Sequence, residues 1–340
     1  MVVLLMEALK SSPLAAFFAA LVVTLIFTPL VKRLGWRFGA VAVPDARRKH
    51  PEPIAMWGGL AVFLGVMVAA FIWRPPSSED LRLLAPSGNP NDIAETVQTV
   101  RLTSTFLITG FLMVVLGMID DLYELSAARK MGGQILIVAL LWYLGVRIRS
   151  IPFTGGVEQF PDWASFLVTL IWIIGLVNAV NFIDGVDGLA SGVCAIAAGS
   201  LCLILLSTAS WAAAASAALC GACIGFLRYN FHPAKIFLGD TGSMLLGFWL
   251  GTIAIASNAK AAAATTLILP LVVMGVPVFD TLWAIVRRSL ARQAPWKADR
   301  GHIHHRLLAR GFTPVKTVLV LYSISFVLGA SAVLYTWLSS

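Results

Sequence analysis

Residues 163–207 read WASFLVTLIWIIGLVNAV (163–180), then NFIDGVD (181–187), then GLASGVCAIAAGSLCLILLS (188–207). Two uncharged apolar runs flank a short stretch carrying Asn181, Asp184 and Asp187. Each run is close to the ~20 residues that cross a bilayer as a helix. A run of this kind can satisfy its backbone polar groups in lipid only as a helix or within a closed barrel. The short alternating segments of barrel strands are absent. The same pattern extends in both directions, with apolar runs at 13–31, 56–73, 102–119, 132–147, 211–227, 241–257, 263–286 and 316–338. The sequence therefore predicts an all-α polytopic integral membrane protein of about ten transmembrane helices, forming a single domain over 1–340. The first run lacks a small-residue cleavage site and is followed by Lys32 and Arg33, so it is expected to remain as a span.

Composition agrees. Of 340 residues, 59% are hydrophobic and 12% charged, about half the charged share of a soluble domain. A soluble globular protein, a disordered chain and a nucleic-acid binder are excluded, although the net charge is +8. Cys194, Cys202, Cys220 and Cys223 fall inside apolar runs and read as small packing residues rather than metal ligands.

The basic residues sort by loop parity. The side holding 32–55, 120–131, 181–187, 228–240 and 287–316 carries 18 of the 25 Lys and Arg residues. The positive-inside rule makes that side cytoplasmic and sends both termini outward. On the other side, residues 147–162 carry short alternating runs around Gly155-Gly156 and predict a small hairpin.

Five polar clusters gather on the basic side, each at a span end. They are Asp45-Ala-Arg47-Arg48-Lys49-His50 leading to Gly58-Gly59; Asp120-Asp121…Glu124…Arg129-Lys130; Asn178…Asn181-Phe182-Ile-Asp184-Gly185-Val-Asp187-Gly188; Gly239-Asp240-Thr241-Gly242-Ser243; and Asp299-Arg300-Gly301-His302-Ile-His304-His305-Arg306. Carboxylates at helix ends near lipid are costly and point to function. Oxygen ligands without thiolates favour a hard cation, Mg²⁺ or Mn²⁺. Lys, Arg and His beside such a site favour a phosphorylated substrate. Residues 239–243 open a span, so the helix N-terminus there is expected to face phosphate oxygens. Metal and anion clamp together read as phosphoryl chemistry joining a nucleotide to a lipid.

Each cluster alone has a plainer reading. Asp120-Asp121 suits a solvated helix end. Asp184 and Asp187 share a helical face by spacing, but Asp-Gly-x-Asp-Gly also suits a turn. The three histidines have Zn²⁺-like density without supporting Cys or carboxylate spacing, which favours anion binding. Asp280, inside the ninth run, fits a buried structural carboxylate paired to a neighbouring helix at least as well as a substrate contact. Two other classes stay open on the acids alone: a secondary transporter, whose site belongs near the midplane between repeats, and an intramembrane aspartyl protease, whose Gly-x-Gly-Asp context fails because Phe237 stands at the first glycine.

In order and spacing, the five clusters resemble the polyprenyl-phosphate N-acetylhexosamine-1-phosphate transferases over about Asp45 to Arg306. The fifth cluster resembles the GlcNAc branch, where Arg follows the paired His. The phospho-MurNAc-pentapeptide branch, kept as the alternative, has three adjacent His instead. The GlcNAc branch is often described with eleven spans, against ten counted here. The resemblance implies transfer of a sugar 1-phosphate from a UDP-N-acetylhexosamine to polyprenyl phosphate in the cell membrane, with release of UMP. It implies Mg²⁺, or Mn²⁺ in its place, on Asp240 and Asn181. It assigns catalysis to Asp120, Asp121, Lys130, Asp184, Asp187, His304 and His305, and substrate binding to Lys49, Asn181, Asp184, His302 and Arg306. Asp120 and Asp121 are left as base or nucleophile for the lipid phosphate. A homodimer in membrane lipid is the family expectation, with no nucleic-acid partner.

Overall fold

Ser12 and Pro13 set the first boundary: the Ser12 hydroxyl accepts from the Ala15 amide, and Pro13 takes a first-turn position where its missing N–H costs nothing. The computed structural model describes residues 12–44, 52–72, 90–150, 159–206, 211–258, 265–290 and 301–339. Within them the chain is nearly all helix: α1 (Pro13–Phe38), α2 (Gly58–Ile72), α3 (Pro90–Tyr123), α4 (Ala127–Tyr143), α5 (Asp162–Ile183), α6 (Leu189–Leu205), α7 (Trp211–Asn230), α8 (Gly239–Asn258), α9 (Thr265–Val273), α10 (Gly275–Leu290), α11 (Ile303–Ala309) and α12 (Pro314–Ser339). Two short strands, β1 (Val41–Ala42) and β2 (Ile54–Ala55), pair antiparallel. They bracket the first basic cluster, and Lys49 lies outside the described residues. The central half of the 147–162 hairpin, 151–158, also lies outside them.

Among the described residues, five helices are long and apolar enough to cross a membrane: Pro13–Phe38, Val97–Tyr123, Asp162–Ile183, Trp211–Asn230 and Pro314–Ser339; Gly58–Phe71 and Leu189–Leu205 are shorter apolar helices. The apolar side chains are arranged for lipid. Leu14, Phe18 and Ile26 on α1 and Phe326, Val327 and Trp337 on α12 are all more than half exposed. Exposed apolar surface on helices of this length fits a membrane environment.

The axis of the bundle is α8, which packs on α3, α5 and α2 and also touches α6, α7 and α9. Its residues from Met244 to Leu250 are buried on every side, as expected of a helix that is hydrophobic all round. Trp249 stacks on Phe106 at 4.7 Å and on Phe63 at 5.8 Å, and its Nε1 donates to the Phe106 carbonyl at 3.1 Å. Near α8's first turn, α2 and α3 come within backbone contact: a methyl at Gly59 would lie 2.3 Å from Gly242 Cα, and one at Gly117 would lie 2.4 Å from Thr241 Cα. The four cysteines are free thiols among small residues.

The ninth apolar run departs from the sequence reading. It forms two helices, α9 and α10, with a break at Met274. Pro277 supplies the reason, because it cannot donate to the Val273 carbonyl and its ring crowds that position.

Candidate active site

The last turn of α3 and the first turns of α4 and α8 meet at one end of the bundle. Asp120 and Asp121 are adjacent, so on a helix they diverge by about 100° and reach different partners. The Asp120 Oδ1 accepts from the Leu125 amide at 2.8 Å, which closes the turn into α4. Its Oδ2 lies 2.8 Å from Lys130 Nζ, and Lys130 Nζ lies 2.9 Å from Asp240 Oδ1. One ammonium thus joins two carboxylates from different helices. Asn181, on the last turn of α5, donates through Nδ2 to Asp240 Oδ1 and, at 2.8 Å, to Ser243 Oγ.

Asp121 turns towards α8 instead. It accepts from the Asp240 amide at 2.8 Å, the Thr241 amide at 3.2 Å and the Thr241 hydroxyl at 2.6 Å. Gly239 permits this approach: its φ is +73°, and a methyl there would lie 2.5 Å from Asp121 Oδ2. This corrects the expectation that the α8 N-terminus faces phosphate oxygens, because two of its amides are occupied by Asp121.

Asp184 and Asp187 sit in a turn between α5 and α6, so the turn reading of Asp-Gly-x-Asp-Gly holds over the helical one. Burial, with Asp240, Asp121 and Asp187 nearby, pushes the Asp184 carboxyl well above the usual range. Asp187 accepts from the Ala234 amide at 3.1 Å and lies 2.8 Å from His232 Nδ1. Burial pulls the Lys130 ammonium down, but Asp240 and Asp120 outweigh it and the net shift is up. Burial raises the Asp240 carboxyl, yet Lys130, the Asp120 side chain and Asn181 bring it below its ordinary value.

The histidine segment lies beside this centre. The His302 ring is 5.4 Å from the Phe182 ring and 6.0 Å from the parallel His304 ring, and His304 is 4.2 Å from His305. His304 packs over Gly185, where a methyl would lie 2.7 Å from its Nε2. Neither of its buried ring nitrogens has a hydrogen-bond partner among the described residues. Burial first, then His305 and His302, pushes its pKa down to about 3, so the ring is neutral at physiological pH. Arg306 is exposed on α11. Asp280 lies on the buried side of α10 and bonds to His302 and Ile303. It is thus a buried carboxylate paired with the N-terminus of a neighbouring helix, α11, within the histidine segment.

Met56, Asp120, Asp121, Glu124, Leu125, Ala127, Lys130 and Asp240 line a cleft of about 380 Å³. Segment 52–59 reaches it because Gly58 and Gly59 donate to the Phe237 and Leu238 carbonyls at 3.0 and 3.1 Å. Sequence reasoning brought Asp120, Asp121, Lys130, Asn181, Asp184 and Asp240 to one place. It gave no role to the Ser243 side chain or to His232. The i, i+3 spacing of Asp240 and Ser243, and a histidine before Pro233 in a basic-side loop, were the available signals.

Carboxylates, an ammonium and the neutral His304 ring at the helix ends of an apolar bundle point to a functional centre able to bind charged groups at a membrane face. Residues 103–258 match the model of glycosyl transferase family 4. The chain is 35% identical to the probable undecaprenyl-phosphate N-acetylglucosaminyl 1-phosphate transferase of Bacillus subtilis, over 95% of this chain and 86% of that protein. It is 36% identical to the decaprenyl-phosphate N-acetylglucosaminephosphotransferase of Mycolicibacterium smegmatis, over 89% and 77%. It is 32% identical to the phospho-N-acetylmuramoyl-pentapeptide-transferase of Moorella thermoacetica, over 95% and 97%. The protein belongs to glycosyl transferase family 4. It is an enzyme, and the transporter and protease alternatives fall away.

Proposed function

We propose that the enzyme transfers N-acetylhexosamine 1-phosphate, with GlcNAc as the sugar, from the UDP-sugar to polyprenyl phosphate. The products are polyprenyl-diphosphate-GlcNAc and UMP, in a first membrane step of cell-envelope polysaccharide assembly. The enzyme is a multi-pass protein of the cell membrane with about ten crossings, a cytoplasmic active site and a homodimeric assembly.

The carrying observation is the Lys130 ammonium shared between Asp120 and Asp240 at the wall of the cleft. A lipid phosphate oxygen attacks the β-phosphorus, and the bond from that phosphorus to the UMP oxygen breaks. Both reactants are anions, so charge neutralisation is the main task. Lys130 offers a remaining N–H to the phosphates while Asp120 fixes its position. Asp120 also accepts any proton carried by the lipid phosphate. That phosphate is largely dianionic at neutral pH, its second pKa being about 6, so a base assists without being required. Asp121 has its oxygens engaged by α8 and acts by positioning Asp240. Asp184, His302, His304, His305 and Arg306 bind the nucleotide sugar, and Asp187 braces the 232–234 loop.

The residues fit Mg²⁺. Their donors are oxygens, and Asp240, about one-third exposed, opens to the cleft. No group of three or more His, Cys, Asp or Glu able to hold a metal ion occurs among the described residues. That fits an ion that keeps its waters and binds through one or two protein oxygens plus substrate phosphates. Asp240 and Asn181 would hold it, and bound there it supplies positive charge to the diphosphate and the UMP leaving group.

The test is UMP release by purified enzyme. UDP-GlcNAc should give UMP only when polyprenyl phosphate is present, and UDP-MurNAc-pentapeptide should give none. UMP from the pentapeptide donor at the UDP-GlcNAc rate would move the enzyme to the other branch. Cysteine labelling should place residue 126 on the cytoplasmic side and residue 155 on the opposite one.

A further inference from the structure

The Asp280 carboxylate is 5% exposed and makes two bonds to one short segment. Its Oδ2 lies 2.9 Å from His302 Nδ1, and its Oδ1 accepts from the Ile303 amide at 2.9 Å. Ile303 is the first residue of α11, and the His302 side chain makes no cap bond of its own there. Asp280 therefore caps α11 from another helix. About two turns further along α10, Arg287 Nη1 donates to the Gly301 carbonyl at 3.1 Å. Three consecutive residues, 301–303, are thus pinned to one face of α10.

The pairing also orients the imidazole. A carboxylate accepts only, so Nδ1 carries the proton in this contact and Nε2 is the ring nitrogen turned away from Asp280. The ring is held between Phe182 and His304, and His304 in turn lies over Gly185. Phe182 follows Asn181, and Gly185 follows Asp184. The position of the histidine segment relative to the Asp240 centre is therefore set through Asp280.

We infer that Asp280 is a positioning residue for the nucleotide-sugar donor: it fixes the orientation of the His302 ring and seats residues 301–309 against the α5–α6 turn. This rests on the donor-binding role given above to the histidine segment. Asp280→Asn keeps the shape of the side chain but can accept only one of the two bonds. Lost charge-assisted bonds of this kind correspond to roughly 10- to 100-fold in binding.

The experiment measures kinetics and melting of full-length wild-type and Asp280→Asn enzyme in detergent. The expected result is a donor KM raised roughly tenfold or more. The acceptor KM should stay unchanged and the melting temperature close to wild type. An unchanged donor KM overturns the inference, as does a parallel loss of melting temperature and of both substrate affinities, which marks a merely structural role. If Asp280→Asn does not accumulate, Asp280→Glu takes its place, since it keeps the charge but shifts the carboxylate by one methylene from His302 and Ile303; a wild-type donor KM there overturns the inference equally. A wild type inert towards every UDP-sugar would remove the proposed function and this inference with it. An active wild type with an unchanged variant removes only the inference.

Discussion

Asp121 holds the helix that carries Asp240: its carboxylate accepts from the Asp240 and Thr241 amides at 2.8 and 3.2 Å. Asp120, its neighbour in sequence, makes no part of that cap and instead pairs with Lys130 at 2.8 Å. Two adjacent acids of identical chemistry are thus separated into a helix cap and an ion-pair partner by the 100° step between successive helical residues.

Asp121→Ala should therefore destabilise the protein by about 1–3 kcal/mol, the range for losing a cap and its hydrogen bonds. Asp121→Asn should cost less. Thermal unfolding in detergent checks both. An Asp121→Ala protein with wild-type melting would show that the cap contributes nothing to holding α8.

Asp240→Asn should lose roughly 3 kcal/mol or more of transition-state stabilisation, on the order of a hundredfold in rate. Folding should persist, because the change removes a charge and leaves Asp121 capping α8. EDTA should abolish UMP release, and Mg²⁺ or Mn²⁺ should restore it. Near-normal turnover of folded Asp240→Asn at limiting Mg²⁺ would take Asp240 out of the metal site.

Lys130→Met leaves Asp120 and Asp240 facing each other without the ammonium. The variant should be inactive and, at pH 7, less stable than wild type. Its deficit should shrink as the pH falls towards 5, because a carboxyl that gains a proton no longer repels its neighbour. A pH-independent deficit would assign the loss to packing.

His304 gives the wild type a pH dependence of its own. Its folded pKa is pushed down to about 3, against an unfolded value near 6.5. Between those limits the unfolded chain binds a proton that the folded one does not, so stability falls as pH drops from about 6.5 towards 3 and is fully present above 6.5. Melting temperature against pH should be flatter in His304→Asn than in wild type.

The apolar runs made the helices legible, because run length in lipid admits few alternatives. The run at 263–286 did not show its interruption at Met274, since hydropathy is blind to the backbone break that Pro277 imposes within it. In the site, Asp240 and Lys130 stood out as charges at span ends. What spacing could not tell was which of Asp120 and Asp121 points where, or that Asp280 reaches forward to His302. Both depend on how α3 and α10 are rotated against their neighbours, and one-dimensional order carries no such rotation. The occupied α8 N-terminus escaped notice for the same reason: its partner lies 119 residues away.

The close backbone approach of Gly59 and Gly117 to Gly242 and Thr241 has a genetic corollary. A single added methyl at either glycine would meet main-chain atoms, 2.3 and 2.4 Å away, that cannot rotate aside. Alleles such as Gly59→Ala or Gly117→Ser should therefore appear as null enzymes in a complementation screen, alongside Asp240→Asn, though neither residue supplies a functional group. Protein abundance separates the two classes: glycine alleles should be depleted from the membrane, and Asp240 alleles should accumulate as inactive protein.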